Sequence, residues 1–299
     1  MIGLTQNPTT KEFDFQLQEV EGSIQAEGVY HGVRRLVDRR TGRNLIHPDY
    51  SVLNLFKLMA TNLCMDSPRN MTRTVQVADN AVEIRWPATE THRADLVARY
   101  EVHEPSTIDL TVTVRTKVEY AGYELFLSNY FDETYRPYLY LKTKDYTKQG
   151  ETFPDGEPQL VCPTMNEAFR GTLIFFPRDS HGARRCLDGR WDRNERGMPI
   201  VQVCPLRHYA HPLAFVTTPD RRLGAVMLTP HEHCYAISTR YYSEREQDRL
   251  THYSAFDFAL FGHDALPAVE RTVRMRLAVT PLDDAMSQPL ALYREFQKL

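Results

Sequence analysis

The sequence predicts an all-β protein, a large antiparallel β-sandwich with few short helices. Three observations carry this: apolar and polar residues alternate with period two in run after run, Gly, Pro, Asp and Asn punctuate the gaps, and helical periodicity is scarce. At 299 residues, 42% hydrophobic and 25% charged, the chain is long enough to bury the core that a sandwich needs.

In chain order, Gly32–Asp38 is the first strand expected from its β-branched and apolar spacing. Val52–Ala60 (VLNLFKLMA) is expected as a short helix or an irregular apolar crossing. Ala81–Trp86 follows as a strand, and then Thr107–Arg115 (TIDLTVTVR), where Ile108, Leu110, Val112 and Val114 point one way and Asp109, Thr111 and Thr113 the other. Tyr123–Tyr130, Thr172–Phe176, Leu213–Thr217, Gly224–Leu228 and Cys234–Arg240 are further strands, rich in aromatic and β-branched residues. Ser254–Leu260 alternates Phe256, Phe258 and Leu260 against Ala255, Asp257 and Ala259. Thr272–Val279 (TVRMRLAV) sets Val273, Met275, Leu277 and Val279 against Arg274 and Arg276. The tail Ser287–Lys298, with a capping serine, Pro289 and then Leu290, Tyr293 and Phe296 at three-residue spacing, predicts a short helix. Lys142–Glu167 and Arg178–Gly197 are polar, rich in Gly, Pro, Asp and Arg, and read as long loops of the kind that border a functional cleft. No linker or repeat interrupts the pattern, so residues 1–299 are expected as a single β-sandwich domain, with a pair of small sandwiches as the alternative.

Lys and Arg number 36 and Asp and Glu 39, a net charge of −3 that supplies no general attraction to nucleic acid or to an anionic membrane. No apolar run is long enough to span a bilayer, and no Gly-rich phosphate loop or dinucleotide fingerprint is present. The start, MIGLTQNPTTKEFDF, shows no secretory pattern. The five cysteines (Cys64, Cys162, Cys186, Cys204 and Cys234) are dispersed. Together these point to free thiols and a cytoplasmic location.

Three constellations can carry chemistry. His208 and His211 in CPLRHYAHPL, with His231 and His233 in TPHEHCYAI, gather late in the chain. On a strand, His231 and His233 would share a face. Such a cluster can serve as general acid and base, can hold a divalent metal, or can simply hydrogen-bond within loops. A second set, Glu124, Asn129, Tyr130, Asp132 and Glu133, brings carboxylate, amide and aromatic groups together in ten residues, the types that recognise a sugar. Alternatively, its acidic pair begins a solvated turn. The third is the loop Asp188–Arg196 (DGRWDRNER), where Trp191 between Arg190 and Arg193 either forms a stacking platform or folds inward as a core plug. Arg240, closing the strand Cys234–Arg240, joins the candidate ligand contacts.

Four segments resemble galactose-mutarotase-like (aldose 1-epimerase-like) sandwiches. Gly32–Leu45 (GVRRLVDRRTGRNL), turning at Thr41–Gly42, resembles the first hairpin, and Tyr123–Phe131 (YELFLSNYF) the central strand that ends in Tyr-Phe. His252–Val279, with Asp264, Pro267 and a strand of alternating arginines, resembles the closing hairpin, and Tyr293–Phe296 the tail. The resemblance covers most of the chain. It implies a mutarotase-like cleft, a small-molecule or oligosaccharide ligand, no cofactor and an isomerase using His and carboxylate acid–base chemistry. Asn129 stands where that family carries a catalytic His, and Glu232 lies in the region of its late catalytic Glu. His208, His211, His231, His233 and Glu232 are therefore the candidate catalytic groups, and Glu124, Asn129, Tyr130, Arg190, Trp191 and Arg240 the candidate substrate contacts; no metal set is assigned. A non-catalytic sugar-binding domain and a metal-dependent enzyme built on the late histidines are the alternative functions.

Overall fold

The structure, a computed structural model, describes residues 3–144, 155–163, 173–191, 202–203, 207–240 and 251–298. Its strands form sheets of nine, seven and five. The nine-stranded sheet runs, edge to edge, Asp155–Val161, Arg136–Lys144, Tyr209–Thr217, Leu223–Leu228, Glu270–Pro281, Thr107–Thr116, Ala94–His103, Ala81–Trp86 and Thr74–Ala78. The seven-stranded sheet runs Gln202–Val203, Leu173–Pro177, Cys234–Arg240, Tyr253–Phe261, Glu124–Asp132, Asn54–Ala60 and Leu63–Cys64. The N-terminal sheet takes its five strands from residues 5–44.

Alternation in the sequence becomes two-sidedness in the sheets. Ile108 lies opposite Leu277, Leu110 opposite Met275 and Val112 opposite Val273, all buried. Facing them from the seven-stranded sheet are Leu125, Leu127, Phe131, Ile237, Phe256, Phe258 and Leu260, in one apolar cluster that also takes in Phe15, Ile24 and Leu36 of the N-terminal sheet. Each such side chain, taken fully out of water, contributes on the order of 1.5–3 kcal/mol, so this shared core fixes the register of both large sheets. The result is the all-β antiparallel sandwich that the period-two pattern predicts.

The expected tail helix is present as Gln288–Phe296. Tyr293 and Phe296 pack with Tyr138, Tyr140, Leu213, Phe215 and Met286, covering the outer side of the nine-stranded sheet. Val52–Ala60 is corrected: it is neither a helix nor an irregular crossing, for Asn54–Ala60 is a strand. Its pairing with Glu124–Asp132 shifts register between Leu55 and Lys57. The extra residue, Phe56, places Leu55 and Leu58 on the same buried side, and that three-residue spacing imitates a helix. Within the expected loops, Asp155–Val161 forms a strand and Ser180–Cys186 a short helix capped by Asp179, whose carboxylate accepts from the Gly182 amide at 2.8 Å. Of those loops, residues 145–154, 164–167 and 192–197, Arg193 included, lie outside the described residues. Among the described residues no helix is long and apolar enough to cross a membrane.

Gly32 couples the N-terminal sheet to the site. Its φ is +111°, and a Cβ there would stand 2.4 Å from the Val52 carbonyl oxygen. Only glycine lets the Tyr30–His31 turn lie this close to the seven-stranded sheet.

Candidate functional site

Strand parity assembles the site. In Glu124–Asp132, the odd-numbered Leu125, Leu127 and Phe131 enter the shared core, so Glu124, Phe126, Ser128 and Tyr130 point to the outer face. Pairing sets Ser128 opposite both Asn54 and Asp257, and Asp257 opposite Ser238. Asn54, Ser128, Asp257 and Ser238 thus form a polar row across four adjacent strands, each at most 1% exposed. A buried polar row on an otherwise apolar sheet is costly to keep unless it is hydrogen-bonded or used.

Arg69 lies across this row. Its Nε donates to Asn54 Oδ1 at 2.6 Å, and its Nη2 to Ser128 Oγ at 3.1 Å and to the Tyr130 hydroxyl at 3.2 Å. The guanidinium stacks 4.2 Å from the Phe56 ring centroid and 4.8 Å from that of Tyr30. Asn54 is itself held by donating from Nδ2 to the His31 carbonyl at 2.7 Å. Tyr130 leads into an aromatic rim in which Tyr130, Tyr50, Tyr253 and Tyr30 stand 4.9–5.3 Å from a neighbour. Arg240 completes the rim with its guanidinium over Tyr253 at 5.9 Å. The outcome is a buried polar floor beside the buried Tyr130 and beneath the half-buried Arg69, Arg240, Tyr30, Tyr50 and Tyr253.

Asp257 is the titratable centre of the floor. The Asn129 amide donates to its Oδ1 at 3.3 Å and the Ser238 hydroxyl to its Oδ2 at 3.2 Å. Burial pushes its carboxyl up to about 6, against the opposing pull of Arg240, those two hydrogen bonds and Arg69. A carboxyl balanced near neutrality can both take and return a proton.

One end of the face is closed by Trp191, which packs edge-on to Phe126 at 4.8 Å and against Phe175 at 5.5 Å. Of the two sequence readings, the inward one holds for Trp191, which is partly buried, while Arg190 is almost fully buried. Arg190 Nη1 donates to Glu124 Oε2 at 2.6 Å, with both side chains fully buried. Its Nε and Nη2 grip the Asp188 carboxylate at 2.9 and 2.7 Å. Burial raises the Glu124 carboxyl while Arg190 draws it back; for Arg190, burial acts downward, but Tyr235, Glu124 and Asp188 outweigh it and keep the guanidinium charged. Glu124 is therefore an anchor for the Asp188–Trp191 turn rather than a free carboxylate.

The remaining sequence candidates lie elsewhere. Asn129 faces the sandwich interior: its Oδ1 accepts from the Leu53 amide at 2.7 Å and its Nδ2 donates to the Phe256 carbonyl at 3.0 Å. It is a buried strut, and Ser128 is the residue on the outer face. His231 and His233 are also corrected. They occupy a 3-10 turn before the strand, because Pro230 ends the preceding segment and its carbonyl accepts from the His233 amide at 3.1 Å. His231 and Glu232 are exposed there, and His233 Nδ1 accepts from the Arg274 amide at 3.1 Å. His211 lies under the tail helix, 5.3 Å from the Tyr293 ring and 5.9 Å from that of Tyr140. His208 precedes that strand, its carbonyl accepting from the Lys142 amide at 2.8 Å. Partial burial lowers His211 and His233. Ser238 lies five residues beyond His233, about 16 Å along the strand. Among the described residues, no three His, Cys, Asp or Glu side chains gather as a metal site.

Sequence reasoning missed Asn54, Arg69, Ser128, Ser238 and Asp257 as site residues. Only Asp257 carried a signal, as a lone carboxylate between Phe256 and Phe258 in an apolar strand.

No family model matches the chain, and no curated protein matches its sequence. Solved structures do. One is an Escherichia coli K12 protein with an aldose 1-epimerase assignment, at TM-score 0.52 and 11% identity, covering 94% of this chain and all of that one. Another is a protein from Synechocystis sp. PCC 6803, at TM-score 0.54 and 12% identity, covering 92% and 98% of the two chains. At such identities the likeness is one of architecture. The chain has the galactose-mutarotase-like β-sandwich fold.

Proposed function

We propose that the outer face of the seven-stranded sheet binds a carbohydrate and that the protein acts on it as an aldose-type isomerase. The observation that supports this is the polar row around Asp257, set between the Trp191–Phe126–Phe175 wall and the tyrosine rim. Pyranose recognition calls for flat apolar surfaces against C–H groups, with carboxylate, amide and guanidinium groups for the hydroxyls, and these residues supply each type. Interconversion at the anomeric carbon needs a base for the anomeric hydroxyl and a donor for the ring oxygen. Asp257, mostly ionised above pH 6, is suited to be the base. The Tyr130 hydroxyl, which accepts from Arg69, has its own proton left to donate. In this reading the late histidines stand outside the reaction, and Glu124, Arg190 and Trp191 shape one wall.

A second reading, sugar binding without turnover, is favoured by one observation. Asn129 is tied into the core, and the strand Glu124–Asp132 brings no imidazole to the outer face. Proton NMR of freshly dissolved α-D-glucose and α-D-galactose, together with calorimetry, separates the two. Accelerated anomer exchange that is lost in Asp257→Asn supports the isomerase. Binding without acceleration supports the second reading, and no binding by either sugar refutes both.

A further inference from the structure

Resting on the proposed sugar site, we infer that its ligand carries an acidic group, a carboxylate or a phosphate, held between Arg69 and Arg240. The two arginines rise from opposite sides of the strand that bears Asp257. Arg69 sits over Asn54 and Ser128, and Arg240 on the neighbouring strand sits over Tyr253. Two inter-strand spacings, about 10 Å, separate the Ser128 strand that Arg69 lies over from the strand that bears Arg240, a gap that long side chains can close on a small anion.

Neither guanidinium forms an ion pair within the described residues. Arg69 spends its hydrogen bonds on an amide oxygen and two hydroxyls, leaving Nη1 to spare. Arg240 rests against an aromatic ring, and its Nε is buried without a hydrogen-bond partner. Two other buried or half-buried arginines of this chain meet carboxylates, whereas the half-buried Arg34 and Arg73 spend their hydrogen bonds on backbone carbonyls. Arg190 takes Glu124 and Asp188, and Arg276 takes both oxygens of Asp109 at 2.7 Å. Two unpaired guanidiniums on one half-buried face, with an orphaned N–H, therefore call for an anion from outside. Asp257 does not fill that role, since its oxygens accept from Asn129 and Ser238 and from neither arginine. Asp257 attracts both guanidiniums without touching either, so a neutral sugar would leave each without a direct ion-pair partner in a partly desolvated site.

Calorimetry with the full chain tests this. The probes are D-glucose, D-galactose and D-mannose, their uronates and their 6-phosphates, at low and at high sodium chloride. The expected result is at least about ten-fold tighter binding of one acidic series than of its neutral parents, a preference that salt erodes. The uronate and phosphate arms identify which acid is recognised. Arg240→Met is expected to bring acid and neutral forms to within about three-fold of each other, with its thermal melt confirming that it folds. Equal binding of neutral and acidic sugars, or a preference that survives intact in Arg240→Met, overturns the inference while leaving a sugar site. Failure of every probe to bind refutes both the inference and the proposed function.

Discussion

Asp257→Asn should make the protein more stable at neutral pH. The native carboxyl titrates at about 6, against an ordinary aspartate value of 3.8. The folded state therefore holds a proton that the unfolded chain has released, and stability falls as pH rises through this window. The difference is about two pH units, which at about 1.4 kcal/mol per unit is roughly 3 kcal/mol lost above pH 7. At pH 4.5 the same linkage leaves only about 1 kcal/mol. Asparagine keeps the shape, can accept from the Asn129 amide, and never carries the charge. Urea denaturation of both proteins at pH 7.5 and 4.5 measures the effect. The expected outcome is a variant ahead by about 2–3 kcal/mol at pH 7.5, with the margin narrowing at pH 4.5. A variant that is less stable by the same amount at both values would refute the claim that burial holds this carboxyl near neutrality.

Other outcomes follow from the same geometry. Arg190→Met strands the fully buried Glu124 and should lower stability by about 3 kcal/mol or more at pH 7, and by less in acid, where Glu124 can take a proton; urea denaturation across pH checks it. Asn129→Ala removes buried bonds to Leu53 and Phe256 and should cost about 2–4 kcal/mol, with sugar affinity of the folded fraction unchanged by calorimetry. If Asp257 is the base, the rate of anomer exchange should climb with pH and reach half its plateau near pH 6, which a pH–rate profile will show. Alanine at His211 and His231 together should change neither that rate nor sugar affinity by more than about two-fold.

Much of the fold was legible because a strand half-buried against a core must alternate. Thr107–Thr116 and Glu270–Pro281 pair in the register that their apolar residues require. Asn54–Ala60 was not legible, because a bulge at Phe56 breaks the alternation locally, and nothing in nine residues distinguishes a bulged strand from a short helix. The site was harder to read. His231-Glu232-His233 carries the spacing of a strand face, yet Pro230 and a single backbone bond fold it into a turn. Tyr130, Arg240 and Trp191 could be named from residue type alone. Asn54, Ser128 and Ser238 could not, since what matters is their alignment with Asp257 across four strands. Arg69 comes from a turn with no pattern at all, and pairings made at long range in the chain brought it over the row.

The most direct test of the central claim is to map the ligand onto the chain by amide and indole NMR shifts during titration with the tightest-binding sugar. The account predicts shifts centred on Ser128, Ser238 and Asp257, with the Trp191 indole and Arg240 moving as well, and loss of the pattern in Asp257→Asn. Shifts confined to His211 and the His231–His233 turn, with the Asp257 row silent, would contradict it.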